Sequence, residues 1–162
     1  MSSQRALGLV ALLAFAAVGA ALVSQHSFDM QPCPWCILQR LLFVLIGGVA
    51  LVGLALRGGS ARRATALVVL VLAGCGIAAA LWQHFVAASS SSCNLTLADR
   101  IVSGLGLDGL MPEVFQARAS CADAAVNLLG VPYAFWSLLL FAALALLAGI
   151  AFTRPRGAQF PR

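Results

Sequence analysis

Cys33-Pro34-Trp35-Cys36-Ile37-Leu38-Gln39-Arg40 opens a stretch that continues to Leu56 without a second charge. A helix needs about 20 mostly apolar residues to cross the hydrocarbon core of a bilayer. Ile37 to Leu56 meets that length with Arg40 as its single charge, which sets a dithiol where a membrane meets water. Three further runs obey the same rule. Ala6 to Val23 and Val131 to Phe152 are uncharged, and Ala64 to Val86 has His84 as its only ionisable side chain apart from Cys75. Barrel strands would alternate over roughly ten residues, whereas these runs are unbroken. The expected fold is therefore all-α: an integral membrane four-helix bundle, one domain over 1–162, with spans near 6–23, 37–56, 64–86 and 131–152. The loops are then 24–36 and 87–130. A competing reading takes the first run as a cleaved signal peptide, with Arg5 as its basic start and small residues before Ser24.

Composition agrees, with 62% hydrophobic and 9% charged residues against about 25% charged in soluble chains. Charge placement sets the orientation. All basic residues are arginines, and Arg5, Arg57, Arg62, Arg63, Arg154, Arg156 and Arg162 fall at the termini and in the 57–63 turn. Asp29, Asp99, Asp108, Glu113 and Asp123 all fall in the other two loops. The positive-inside rule then predicts cytoplasmic termini and outward loops bearing the paired cysteines. The net charge of +5 reads as this anchoring asymmetry, and no nucleic-acid partner is expected. Trp35, Trp82, Tyr133 and Trp136 map to the outer interface, where amphipathic rings settle.

The second loop has three marked features. Ser89 to Ser92 reads as a polar, flexible tract leading into Cys93. Leu97, Ile101 and Leu105 recur at four-residue spacing, which predicts a short helix lying in the membrane plane or packed on the bundle. Cys121 closes the segment.

Four cysteines thus share one side of the membrane, the side on which disulfides persist in bacteria and secretory compartments. Two structural disulfides are one reading. A Cys-x-x-Cys ring constrains the unfolded chain too little for that role to be persuasive at Cys33 and Cys36. Redox chemistry suits them better, because a pair at a helix start has its thiolate favoured by unpaired backbone N–H groups and the helix dipole. Cys36 also lies one helical turn before Arg40, which brings a cation to the same helix face. A four-thiolate zinc site is a further option, but the 27 residues between Cys93 and Cys121 supply no second Cys-x-x-Cys. Cys75, between Gly74 and Gly76, reads as a small packing residue, and Gly47-Gly48 and Gly74 with Ala78 suit close helix approach.

These features together resemble the bacterial inner-membrane disulfide bond formation protein B (DsbB) family. The resemblance covers nearly the whole chain. It rests on the Cys33-Pro34-Trp35-Cys36-Ile37-Leu38-Gln39-Arg40 stretch, the separated Cys93 and Cys121, Met111-Pro112-Glu113-Val114-Phe115, and Leu129-Gly130-Val131-Pro132 opening the last span. It implies a thiol:quinone oxidoreductase, monomeric, that reoxidises a periplasmic DsbA-like thiol oxidase. The implied catalytic residues are Cys33, Cys36, Cys93 and Cys121. Cys93 is the sulfur attacked by the partner; Cys121 then exchanges with Cys33 and frees Cys36 as a thiolate facing a membrane quinone, ubiquinone in preference to menaquinone. Arg40 and Cys36 are the implied quinone-binding residues, with Arg40 stabilising the thiolate and donating to a quinone carbonyl. Its structural alternative is a snorkelling interface anchor.

One departure stands out. Family members often carry an Arg-His pair in the third span before a Gln, whereas Ile77-Ala78-Ala79-Ala80-Leu81-Trp82 precedes Gln83 here. His84 reads as an interfacial histidine, with proton transfer as its alternative role. Two other functions compete. A quinone reductase resembling vitamin K epoxide reductase would place the Cys-x-x-Cys after the loop pair, the reverse of the order here. A noncatalytic membrane scaffold would hold disulfides that resist mild reductant, where catalytic ones exchange.

Overall fold

A computed structural model describes residues 2–56, 58–89 and 96–153. Four helices long and apolar enough to span a membrane form the body: α1 (Ser3–Ser27), α2 (Pro34–Ala55), α3 (Gly59–Phe85) and the last helix (Tyr133–Thr153). Between the third and last spans the described residues form a single 3-10 turn (Ala87–Ser89), three short α-helices, α4 (Leu97–Gly104), α5 (Leu107–Leu110) and α6 (Pro112–Phe115), then strands β1 (Asn127–Leu128) and β2 (Val131–Pro132). The last span is accordingly α7.

In lipid the apolar effect between helices is absent, so association depends on close packing. The core follows that rule. Val10, Ala11 and Ala14 of α1 meet Phe43 and Ile46 of α2, Val69 and Ala73 of α3, and Phe141, Leu144 and Ala148 of α7. The rings of Phe43 and Phe141 stack with centroids 4.1 Å apart. Phe141 fits because Gly76 has no side chain: a Cβ there would fall 2.3 Å from the ring. Gly47 likewise admits Phe15. Gly48 and Gly74, expected at close approaches, have open space beside them, and Cys75 is exposed instead of packing between helices. The helical register explains the difference, since Gly76, two residues on from Gly74, is the one that faces α7.

Helix ends differ from the expected ones for local reasons. The second span begins at Pro34, earlier than Ile37, because Cys33 caps it and proline is preorganised for the first helical position. The first extends to Ser27. The last begins only at Tyr133, since Val131 and Pro132 pair with Leu128 and Asn127 in a hairpin. Its two turn residues, Leu129 (φ 54°) and Gly130 (φ 79°), both lie in the left-handed region, the requirement of a type I′ turn.

The loop helix is real but short. Thr96 and Asp99 form a capping box at its start, and Gly106 with φ 66° turns the chain just past its end. Ala98 and Val102 are its buried residues, Val102 packing with Ile37, Leu41 and Phe115. The Leu97, Ile101 and Leu105 stripe faces outward, so the helix docks on the bundle by its other face.

Candidate functional site

The start of α2 organises the site through its unpaired donors. The first turn of a helix has N–H groups with no partner within the helix. Pro34 has none to offer. The N–H of Trp35 donates to the Cys121 sulfur, that of Cys36 to Cys33 Sγ at 3.3 Å, and that of Ile37 to the Cys33 carbonyl at 3.0 Å. A helix N-terminus thus faces two sulfurs, which suits negative charge on them.

Cys33 is the middle of the cluster. It is fully buried, its Sγ lies 2.8 Å from that of Cys36, and it is hydrogen-bonded to Cys121 on the other side. With Cys33 donating, its own thiol is pushed up, Cys121 first and Cys36 next as causes. The same bond holds the Cys121 thiol below its ordinary range, aided by the Trp35 N–H and opposed by burial. Of this pair Cys121 is therefore the sulfur whose thiolate is favoured, and Cys33 the one that keeps the proton. Two long-range backbone bonds hold the segment leading to Cys121 against the first loop: the N–H groups of Arg118 and Ala119 both donate to the Pro32 carbonyl, at 3.0 and 3.2 Å. Cys93 lies outside the described residues.

On its other flank Cys36 borders a cavity of about 680 Å³, within the range of small-molecule sites. The walls are apolar where Ala17, Val18, Phe43 and Leu140 stand, and polar where Cys36 and Arg40 stand. Arg40 is 4% exposed. A snorkelling anchor would extend to the surface; this guanidinium instead donates through Nη1 to Gln25 Oε1 at 3.0 Å and to the Val114 carbonyl at 2.7 Å. Gln25 Nε2 in turn donates to the Glu113 carbonyl at 3.2 Å, which ties α1 and α6 to the same arginine. Glu113 also receives Arg118 Nη2 at 2.7 Å and meets His26 Nε2 at 3.2 Å, and Arg118 first, then His26, hold its carboxyl below the usual range. The loop bearing Cys121 and the arginine on the cavity wall are thus one connected network.

Three polar side chains were given no role by the sequence reading. Gln25, Gln39 and Gln83 are 3%, 3% and 5% exposed, all within or at the end of spanning helices. Gln39 Nε2 donates to Gln83 Oε1, and Gln83 Nε2 donates to Cys36 Sγ at 3.2 Å. The available signal was their type: an amide in an apolar span needs a partner and marks a polar interior. Tyr133, Trp136 and Ser137 also line the cavity. His84 does not; its ring lies against Phe85 and Phe135, centroids 4.9 and 4.7 Å away, as an interfacial histidine would.

Four spanning helices with three sulfurs in a row, one of them on the wall of a cavity within the bundle, define a multi-pass membrane thiol–disulfide protein. Comparison with known proteins gives the family. The model described as "Disulfide bond formation protein DsbB" matches residues 3–151, and the chain belongs to that family of membrane disulfide bond formation proteins. It is 34% identical over 154 residues to disulfide bond formation protein B of Pseudomonas syringae pv. tomato, covering 94% of this chain and 91% of that one. It is 36% identical over 146 residues to the protein of the same name from Dechloromonas aromatica, covering 88% and 86%. With the Burkholderia pseudomallei protein, also named disulfide bond formation protein B, identity is 28% over 155 residues, covering 95% and 92%.

Proposed function

We propose that this protein is a protein-disulfide:quinone oxidoreductase of the bacterial inner membrane, which reoxidises a periplasmic DsbA-like dithiol and passes the electrons to a membrane quinone. The observation that supports it most is the position of Cys33, touching Cys121 on the loop side and Cys36 on the cavity side. Its orientation follows from charge, with both termini cytoplasmic and the sulfur cluster periplasmic.

The chemistry balances as disulfide exchange. A partner thiolate attacks Cys93 of the Cys93–Cys121 disulfide, and the S–S electron pair leaves on Cys121. The mixed disulfide is resolved by the partner's second thiol, which leaves the partner oxidised and the loop pair reduced. The Cys121 thiolate then attacks Cys33 Sγ; a Cys33–Cys121 bond forms, the Cys33–Cys36 bond breaks, and the electron pair goes to Cys36. An attacked sulfur is held between nucleophile and leaving group, as Cys33 is.

The cavity fits a quinone by its donor set as well as its size. Arg40 lines it, and Arg40 Nε is buried with no partner, a donor available to a carbonyl oxygen. Gln31 lines it too, with a buried, unpartnered Oε1 able to accept a hydroxyl proton. Cys93 would then displace Cys33 from Cys121 and restore the loop disulfide, and the Cys33–Cys36 bond would re-form as the two electrons and two protons of that pair pass to a quinone bound there, which leaves as the quinol. Ubiquinone is the preferred species. Arg40 would hold the ring oxygen, and Phe43 and Leu140 would supply apolar contact.

The test is anaerobic. Purified protein in detergent is mixed with a reduced periplasmic thioredoxin-like protein and a soluble quinone, and quinone loss is followed by absorbance. Catalytic loss, one quinone for each partner disulfide formed, is the expected result. No turnover by folded protein with several partners and quinones would favour a scaffold with structural disulfides.

A further inference from the structure

We propose that Gln83 is a catalytic residue that holds the Cys36 thiolate through its amide N–H, and that Gln39 is a positioning residue that fixes which end of that amide faces the sulfur. The inference rests on the reading above, in which exchange leaves the electron pair on Cys36.

A thiolate released inside an apolar bundle needs donors, because burial without them strongly disfavours charge. Gln83 offers one at 3.2 Å. A primary amide has a donor end and an acceptor end, and these can exchange by a half-turn. With Gln83 Oε1 receiving Gln39 Nε2, its Nε2 is left facing Cys36. The reverse sense would turn a carbonyl on the sulfur, which suits only a neutral thiol. Gln39 sits on α2 and Gln83 on α3, so the pair also joins the two helices at the depth of the reacting sulfur. Neither amide has an ionisable proton. The pair therefore favours the anion without being able to quench it, which a buried carboxylic acid in the same place could do.

The test reads Cys36 with neither partner nor quinone present. Fully reduced protein in detergent is pulsed with iodoacetamide between pH 4 and 10, and Cys36 modification is located by fragment mass spectrometry. The variants are Gln83→Met, Gln39→Met and the double variant, which keep side-chain volume and add no charge. Other titratable groups near Cys36 are Cys33, Cys121, Arg40 on its own helix and Tyr133 across the cavity. Asp29, Arg118 and Asp123 stand elsewhere on the cavity wall. All are unchanged in these proteins.

Gln83→Met is expected to move the midpoint of Cys36 alkylation upward by about one to two pH units, the effect of losing a hydrogen bond to a charged group. Gln39→Met should shift it the same way by a smaller amount. The double variant should match Gln83→Met alone, since Gln39 acts only through Gln83. It also leaves neither amide without the other, so it keeps the experiment readable if one single variant does not fold. An unmoved midpoint in Gln83→Met or in the double variant would overturn the proposal. So would an unmoved midpoint in Gln39→Met, or shifts that add in the double variant. Failure here leaves the oxidase reading standing, whereas failure of quinone reduction by the unaltered protein leaves the alkylation result standing.

Discussion

Cys36→Ser is expected to abolish quinone reduction, by about a thousandfold or more, in a protein that still folds and still exchanges with its partner. The size of the loss reflects the absence of any substitute: a serine alkoxide cannot serve as the leaving group in disulfide exchange. The variant should also change what accumulates. With no sulfur at position 36, Cys121 is the one sulfur among the described residues within reach of Cys33, and the hydrogen bond between them marks the geometry of the bond they would form. The Cys33 thiolate should therefore attack Cys121 of the Cys93–Cys121 disulfide and release Cys93, so that a Cys33–Cys121 disulfide builds up, seen as a cross-linked peptide pair under non-reducing conditions. Quinone reduction at the unaltered rate in this variant would remove Cys36 from the electron path.

Arg40→Met is the second large effect expected. A donor aimed at developing negative charge in a water-excluded site contributes on the order of a hundredfold to a thousandfold in rate. Arg40 also holds Gln25 and the Val114 carbonyl, so its loss leaves buried acceptors unpaired and loosens the loop from the bundle. Stopped-flow kinetics separates the two contributions. Reduction of the loop disulfide by partner should change by less than about tenfold, and the quinone step should fall by about a hundredfold or more. Equal slowing of both steps would assign Arg40 a purely structural part.

The spans were legible because a bilayer imposes a length and an apolar composition that no other environment demands. Their ends were less so. Nothing in an apolar count shows that Cys33 caps a helix beginning at Pro34, or that Val131 and Pro132 pair back on Asn127 and Leu128. The loop helix shows the same limit more sharply. Leu97, Ile101 and Leu105 mark a stripe by periodicity, yet Ala98 and Val102 are the residues that dock, since small side chains permit the close approach to α2.

Within the site, Cys33, Cys36 and Arg40 stand together because four residues of helix separate the last two, a relation the sequence states directly. The contact of Cys33 with Cys121 is not of that kind; the two are far apart in the chain, and their pairing entered only through resemblance to a family. Gln39 and Gln83 lie on different spans, and Gln25 ends the first. Each has a meaning only through its partner in space: an amide, Arg40, or the sulfur of Cys36. Local pattern marks such residues as unusual in a membrane helix but gives no partner.

The measurement that tests the account most directly is disulfide mapping of the unaltered protein during a single turnover. Oxidised protein is mixed with one equivalent of reduced partner, quenched with acid at successive times, and its cross-linked peptides are identified. A Cys33–Cys121 pair that rises after the partner is oxidised and decays as quinone is consumed is the predicted result. Quinone consumption with Cys33–Cys36 intact throughout, and no Cys33–Cys121 pair at any time, would contradict it.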